Sequence, residues 1–430
     1  MSTTEIQAEA DYRDFYSDPE VVEHPREYFD QIRSIGPVTQ EKYFNTYMVT
    51  GYDEVMEILN SKDGTFSSLT AVVGPKPGLP FTPEGDEVSE QLDAHRSEMA
   101  WSAHLTSMDG EEHAKARALM SSLLTYKRLK ANEDYLYGLV DRIIDGFIDK
   151  GECDVVPDFA HAITVYAICD ILGIPMEHRA ELLELIGPAP SQLEGDDVHN
   201  KVGPDPLIFL KDRFDQYIRE RQDNPTGDLL SDLANAKFKD GSTPDPDLLS
   251  RLGRFTYGAG QDTTSRLIAM SILIFSDKPE LQKRLREDPG QIPDFIEEVL
   301  RYDAPVKVAY RVAVRKTTVG GVEIPAGSIL CVSYAAASND PHHFDNPEVF
   351  DMDRPDKRDH LGFSKGLHAC LGAPLGRMET RVALERILAR TKDIRLSEEH
   401  HGKSGVRKFR FEPTYSFRSL ADLHIEFDPA

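Results

Sequence analysis

The sequence predicts a mainly α-helical protein with small β-sheets, folded as one large domain. Three observations carry that prediction. The longest helical pattern runs from Asp245 to about Phe275, with Leu249, Leu252, Thr256, Ala259, Thr263, Leu267, Met270 and Ile274 recurring on one face. Strand-like pieces are short and cluster late, as "VRKTTVGGVEIPAG", "SILCVSYAA" and the terminal "LADLHIEF". No internal repeat or low-complexity linker divides the 430 residues, so a chain long enough for two or three domains reads as one.

In chain order, residues 1–22 read as a loosely ordered segment ahead of a domain spanning 23–430. The opening residues are polar and acidic, without the apolar stretch and basic flank of a signal peptide. "PREYFDQIRSIG" predicts a first helix, with Pro at its start and Gly at its end. "YMVTGY" predicts a strand, and "DEVMEILNS" a short helix with Asp53 as a candidate cap. "GPKPGLPFTPEGD", residues 74–86, is too rich in Pro and Gly for either and reads as a long loop of the lid type. Helical pattern resumes from Glu111 to about Cys169, interrupted near "KGECDVVP". A second breaker zone, "GPAPSQLEGDDVHNKVGPDP", separates two further helical stretches.

Composition narrows the function. Lys and Arg number 49 against 74 Asp and Glu, a net charge of −25 that a nucleic-acid backbone would repel. No run of about 18 apolar residues appears, and "AITVYAICDILGI" is short and broken by Asp170, so no membrane span is expected. Cys153, Cys169, Cys331 and Cys370 form no CxxC pair, which fits a reducing cytoplasm.

Cys370 stands in the glycine-rich frame "GFSKGLHACLGAPLGRMETR", just before a helix marked by Leu371, Leu375, Met378 and Val382. Unpaired backbone N–H groups at a helix start favour an anion and would lower a thiol's pKa. A thiolate offered this way suits a metal as its single soft ligand. Zinc fits poorly, since only His368 is near. A nucleophilic cysteine and an inert buried thiol are the other readings. In the long helix, the middle of the apolar face is stripped to Ala259 beside Gly258 and Gly260, as if room were made for something large. Asp262 and Thr263 follow at once. They suit a proton relay through water, or else cap a new helix beginning at "DTTSRL". His113 and Arg117, an i, i+4 pair, suit an anion grip or a solvated face; Glu298 and Arg301 read as an i, i+3 ion pair of the surface kind.

Together these motifs resemble the soluble bacterial cytochromes P-450, the heme-thiolate monooxygenases, from about residue 25 to the C-terminus. The family's cysteine signature is matched by Phe363, Gly366, His368, Cys370 and Gly372, with Ser364 where the first Gly is usual. The long-helix signature is complete as Ala259, Gly260, Asp262 and Thr263. Glu298 and Arg301 match the structural E-x-x-R pair, with Arg354 as its third partner. The resemblance implies a single-domain cytochrome P-450 fold with heme b (iron protoporphyrin IX) between the long central helix and the cysteine-loop helix. It makes Cys370 the axial ligand of the iron, with His113, Arg117, Arg311 and His368 as propionate contacts. Ala259 and Gly260 would lie over the opposite heme face, and Asp262 and Thr263 would deliver the protons that oxygen activation needs.

Further implications are a small-to-medium hydrophobic substrate, O2, and electrons from NAD(P)H through an iron–sulfur ferredoxin and its reductase. A monomer is expected. Substrate-pocket candidates are Phe81, Trp101, Leu105, Phe255, Val306, Val308 and Phe417. Lys365, Arg377 and Arg381 are candidates for a basic docking patch. A peroxide-driven heme-thiolate hydroxylase and a non-catalytic heme-binding sensor are the competing expectations; the sensor would not need Asp262 and Thr263.

Overall fold

One helix of 32 residues, Pro246–Asp277, runs through the middle of the fold and organises the rest. Asp245 caps it by accepting from the Asp247 N–H at 2.9 Å, and Pro246 occupies its first turn, where a missing N–H costs nothing. It is unbroken through Asp262, so no new helix begins there and the capping alternative falls away. Against it pack the helices Ala162–Leu172, Lys211–Asp223, Ile292–Tyr302 and Ala373–Arg390. Its C-terminal half, including Leu267, Ile268, Met270, Ile272 and Phe275, joins Val382, Leu384 and Ile387 of Ala373–Arg390 in the largest core cluster. The computed structural model describes residues 11–186, 192–193 and 205–430. Most of the second breaker zone lies outside the described residues.

Three small sheets flank this helical mass. The five-stranded sheet runs Val38–Gln40, Tyr47–Val49, Ile329–Ser333, Val308–Ala313, Phe66–Ser67. Its single parallel pairing sets Tyr47 opposite Leu330. A three-stranded sheet pairs His424–Pro429 with both Glu152–Asp154 and Thr391–Leu396. A hairpin joins Thr317–Val319 to Val322–Ile324 through Gly320 and Gly321, both at positive φ (55° and 78°), as a two-residue turn of this hand requires.

Several elements differ from the sequence reading. Residues 11–22 are not loose: Tyr12, Phe15 and Tyr16 are buried against Tyr28, Phe29, Tyr310 and Tyr415, because aromatic side chains outweigh the polar residues between them. The predicted helix at 53 starts one residue earlier, at Tyr52 after Gly51, and Asp53 does not cap it. The apolar stretch around residue 165 is longer than its sequence window, since a helical segment Val155–His161 leads directly into Ala162–Leu172. Among the described residues Val155–Leu172 is the one stretch long and apolar enough to cross a membrane; 61% of it is buried inside the fold, as in a core helix.

Candidate active site

The cysteine loop is shaped by two residues in the left-handed backbone region. Gly366 has φ +69°, and a Cβ there would meet the carbonyl oxygen of Leu59 at 1.9 Å, so no side chain fits. Ser364, which replaces the expected glycine, adopts φ 57° and donates from its hydroxyl to the Tyr334 hydroxyl at 3.0 Å. The strain of a non-glycine residue is thus partly offset by an anchored side chain. The Cys370 N–H then donates to the Phe363 carbonyl at 2.8 Å, closing the loop ahead of the helix Ala373–Arg390. Gly372 precedes that helix at an ordinary φ of −79°.

Cys153, Cys169 and Cys331 are buried, whereas Cys370 is exposed within a surround of protein. That surround raises its thiol pKa; the N–H groups of Gly372 and Ala373, and the charges of Arg117 and Arg377, pull the other way without prevailing. The expected lowering by the helix start is therefore overridden by desolvation. A bound metal cation is what deprotonates a thiol in such a setting.

Beside this loop four bases converge. The His113 ring stacks on His368, centroids 4.0 Å apart. Arg117 donates from Nη2 to the Ala369 carbonyl at 2.6 Å, and Arg311 from Nη1 to its neighbour Tyr310 at 2.7 Å. Among the described residues neither guanidinium has an acidic partner, and the buried His113 Nε2 has no hydrogen-bond partner. His368, bonded to Ser68 Oγ at 3.0 Å, is held neutral: burial, then the charges of Arg311 and Arg117 with the neighbouring His113 ring, push its pKa to about 2. Such a cluster is a built receptor for carboxylates.

On the long helix the i, i+4 stripe Phe255, Ala259, Thr263 is uncovered in its middle, Ala259 being exposed while Leu252, Tyr257, Gln261 and Thr264 on other sides of the helix are buried. Gly258 leaves space, its nearest side chain being Leu207. Gly260 has a different reason: a Cβ would come within 2.9 Å of Ile168 Cδ1, so this glycine serves helix packing. Thr263 Oγ1 donates to the Ala259 carbonyl at 3.3 Å, and Asp262 accepts from Arg266 at 3.0 and 2.8 Å.

The chain as a whole aligns with known proteins. The cytochrome P450 family profile matches residues 207–392. Cyclomarin C epoxidase CymV of Salinispora arenicola is 34% identical over 72% of this chain and 79% of its own length. The chain belongs to the cytochrome P450 family. 6-Deoxyerythronolide B hydroxylase of Saccharopolyspora erythraea is 30% identical over 84% of the chain and 87% of the relative. The substrate-free structure of cytochrome P450 CYP150A6 from Mycobacterium marinum superposes with a TM-score of 0.90 at 41% identity, covering 97% and 99% of the two chains. The protein is accordingly an oxidoreductase of the monooxygenase class whose cofactor is heme b. The residues present fit that group: an accessible thiol, an uncovered helix stripe, and unpaired bases suited to two propionates.

For the remaining expectations this P450 separates support from packing. Glu298 and Arg301 are fully buried and doubly bonded at 2.8 and 2.9 Å, Arg354 reaches the same carboxylate at 3.1 Å, and Arg301 also donates to the carbonyls of Ser338, Pro347 and Val349. This is a buried network, and the surface-pair reading is corrected. Of the pocket candidates, Val306 and Phe417 are brought together in an isolated β-bridge, and Phe255 and Trp101 flank the His104 ring at 5.7 and 5.1 Å. Leu105 is buried in the neighbouring cluster, and Phe81 stacks on His95. Val308 is corrected to core: it is buried with Tyr16, Met48 and Tyr310 because its strand position faces inward.

Two of the three docking-patch candidates are corrected, since Arg377 grips Glu297 at 2.6 and 2.9 Å and Arg381 pairs with Glu133 and Glu385, whereas Lys365 has no ion pair among the described residues. These pairs border a groove of about 500 Å³ with Leu129, Ile296 and Met378 in its lining. Sequence reasoning passed over Glu379. It is fully buried with the Thr264 hydroxyl facing it, and burial outweighs that contact, holding it protonated well above the ordinary carboxylate range. Its i, i+3 spacing from Gly376, which faces Thr264, is the only hint the sequence offered.

Proposed function

We propose that this protein inserts one atom of O2 into a small-to-medium hydrophobic substrate, as a monomer, with electrons from NAD(P)H carried by an iron–sulfur ferredoxin and its reductase. The observation that carries this reading is the pairing of an uncovered helix stripe, ending in Thr263 next to Asp262, with an accessible thiol at the start of an adjoining helix. A heme sensor needs the thiol but not the acid and hydroxyl.

In this reading Cys370 holds the heme iron, and His113, Arg117, Arg311 and His368 hold the propionates, while Phe363 and Gly372 frame the loop. Bound heme supplies the oxygen-activating redox chemistry. Ala259 keeps the opposite side of the site free of large side chains, while Gly260 lets this turn of the helix pack closely on Ile168. Thr263 now spends its hydroxyl on a long 3.3 Å bond to its own helix, so little is lost when it turns to hold a water. Asp262, with a side chain 47% exposed, links that water to solvent and supplies protons. Phe255, Val306 and Phe417 shape an apolar substrate site, with Trp101, Leu105 and Phe81 at its lid. The epoxidase and hydroxylase among the relatives support oxygen insertion into an organic substrate. With its arginines neutralised, the groove beside the cysteine helix favours a partner that docks by apolar contact.

The test compares turnover of a hydrophobic ligand library under NADH plus ferredoxin and reductase with turnover under peroxide. Cys370→Ser should abolish both the thiolate signature of the reduced carbon monoxide spectrum and product formation. An unchanged spectrum with heme still bound would refute the assignment. Val306→Ala and Phe417→Ala should shift product regiochemistry at constant heme content.

A further inference from the structure

We propose that Arg266 is a positioning residue shared between the acid Asp262 and the C-terminal loop bearing Glu412 and Phe417, which compete for its one guanidinium. The proposal rests on Asp262 being the proton-delivering acid. Arg266 lies one turn after Asp262 and is 5% exposed. Its Nε and Nη2 donate to Asp262 Oδ1, and Nη2 also lies 3.3 Å from Glu412 Oε2. The Phe417 ring covers the guanidinium at 4.5 Å. Among the described residues Arg266 is the only ion-pair partner of either carboxylate. His161 faces the same two carboxylates, but burial keeps its imidazole on the neutral side.

The geometry sets which group moves. The guanidinium is enclosed and stacked, whereas the Asp262 and Glu412 side chains are 47% and 36% exposed. A carboxylate whose oxygen is gripped by two N–H donors must leave that grip to carry a proton, because the lone pairs that would take it are already engaged. Glu412 makes that departure cheaper, because it keeps Arg266 paired when Asp262 turns toward Thr263. The loop that supplies Glu412 is itself fixed by the Glu412 N–H to Ser419 carbonyl bond at 2.9 Å, by Lys307 donating to the Thr414 carbonyl at 3.0 Å, and by the Val306–Phe417 bridge. A substrate pressing on Phe417 therefore bears on the same guanidinium that holds the acid.

The experiment uses the heme-loaded enzyme with a surrogate ferredoxin and reductase, measuring NADH oxidation in H2O and D2O without added substrate, and amide hydrogen exchange across residues 410–421. Asp262→Asn should slow NADH oxidation several-fold. Glu412→Gln should slow it in the same direction and enlarge the solvent isotope effect, because Asp262 then has Arg266 to itself. Arg266→Gln should not slow it, and should speed exchange across 410–421 several-fold; Arg266→Lys, a point charge without the planar fork, should speed it less. If Asp262→Asn oxidises NADH at the wild-type rate, the relay reading falls and this proposal with it. If Asp262→Asn is slow but Glu412→Gln is not, sharing alone is refuted. Unchanged exchange in both Arg266 variants also refutes it, whatever the turnover.

Discussion

His113 and His368 stack with their ring centroids 4.0 Å apart and their planes 20° from parallel, joining the helix Gly110–Leu123 to the cysteine loop. Burial pushes both pKa values down, so the rings meet as neutral partners while Arg117 and Arg311 carry the charge. The double variant His113→Ala/Arg117→Ala removes one ring and one of the two guanidiniums. Charge-assisted contacts are worth about 1.5–3 kcal/mol each, so heme retention should weaken more than tenfold. Heme transfer to excess apomyoglobin measures it; equal transfer rates would leave the pair without a binding role.

Gly366 and Ser364 should differ sharply in their tolerance of substitution. Gly366→Ala places a methyl 1.9 Å from a backbone oxygen at positive φ, and should yield protein that fails to load heme. Ser364→Gly relaxes a left-handed residue, a gain of about 1 kcal/mol, and loses a hydroxyl bond to Tyr334 worth a similar amount, so the melting temperature should stay nearly constant. A large fall in Ser364→Gly would show that the side-chain anchor outweighs backbone strain.

Thr263→Ala should keep consuming NADH while product falls and hydrogen peroxide rises in step, because the water that delivers the proton is no longer held. Paired measurement of NADH, product and peroxide decides the matter, and wild-type coupling in the variant would reduce Thr263 to a helix residue.

Lys307 is 1% exposed, its ammonium donates among the described residues only to the Thr414 carbonyl, and burial pushes its pKa down to about 7. The unfolded chain keeps that proton to about pH 10.4, so between pH 7 and 10 the unfolded state binds more protons and stability rises with pH. Below about pH 7 the folded protein carries the full cost of a buried ammonium. Lys307→Met should raise the melting temperature most at pH 6.5 and flatten its rise toward pH 9. Parallel curves for the two proteins would show that Lys307 stays charged in the fold.

The long helix and the cysteine loop were legible because each is written locally, in spacing and in glycines that only one backbone accommodates. Burial was not local. The Glu298–Arg301 spacing is the same on a surface and in a core, and only the chain brought over it from Ser338 to Arg354 makes it a core network. Gly260 looked like room for a large group, yet Ile168, some ninety residues earlier, is what fills the space beside it. Arg377 read as a free charge because Glu297 is distant in sequence; Arg381 has one such distant partner, Glu133, and one a turn away, Glu385. Val308 could not be told from Val306: two residues apart they would share one face of a regular strand, and it is the break at Lys307, ahead of the strand Val308–Ala313, that sends Val306 to its bridge with Phe417 and Val308 into the core with Tyr310.

The parallel pairing of Tyr47 with Leu330 has a consequence during synthesis. The two strands leave the ribosome about 280 residues apart, which at roughly 5–20 residues per second separates them by roughly a quarter of a minute to a minute. Through that interval Tyr47–Val49, fully buried when folded, has only the three-residue strand Val38–Gln40 to pair with. The nascent chain therefore carries an open sheet edge until its last quarter emerges, and holdase chaperones should affect the yield of soluble protein more than they affect the stability of the finished fold.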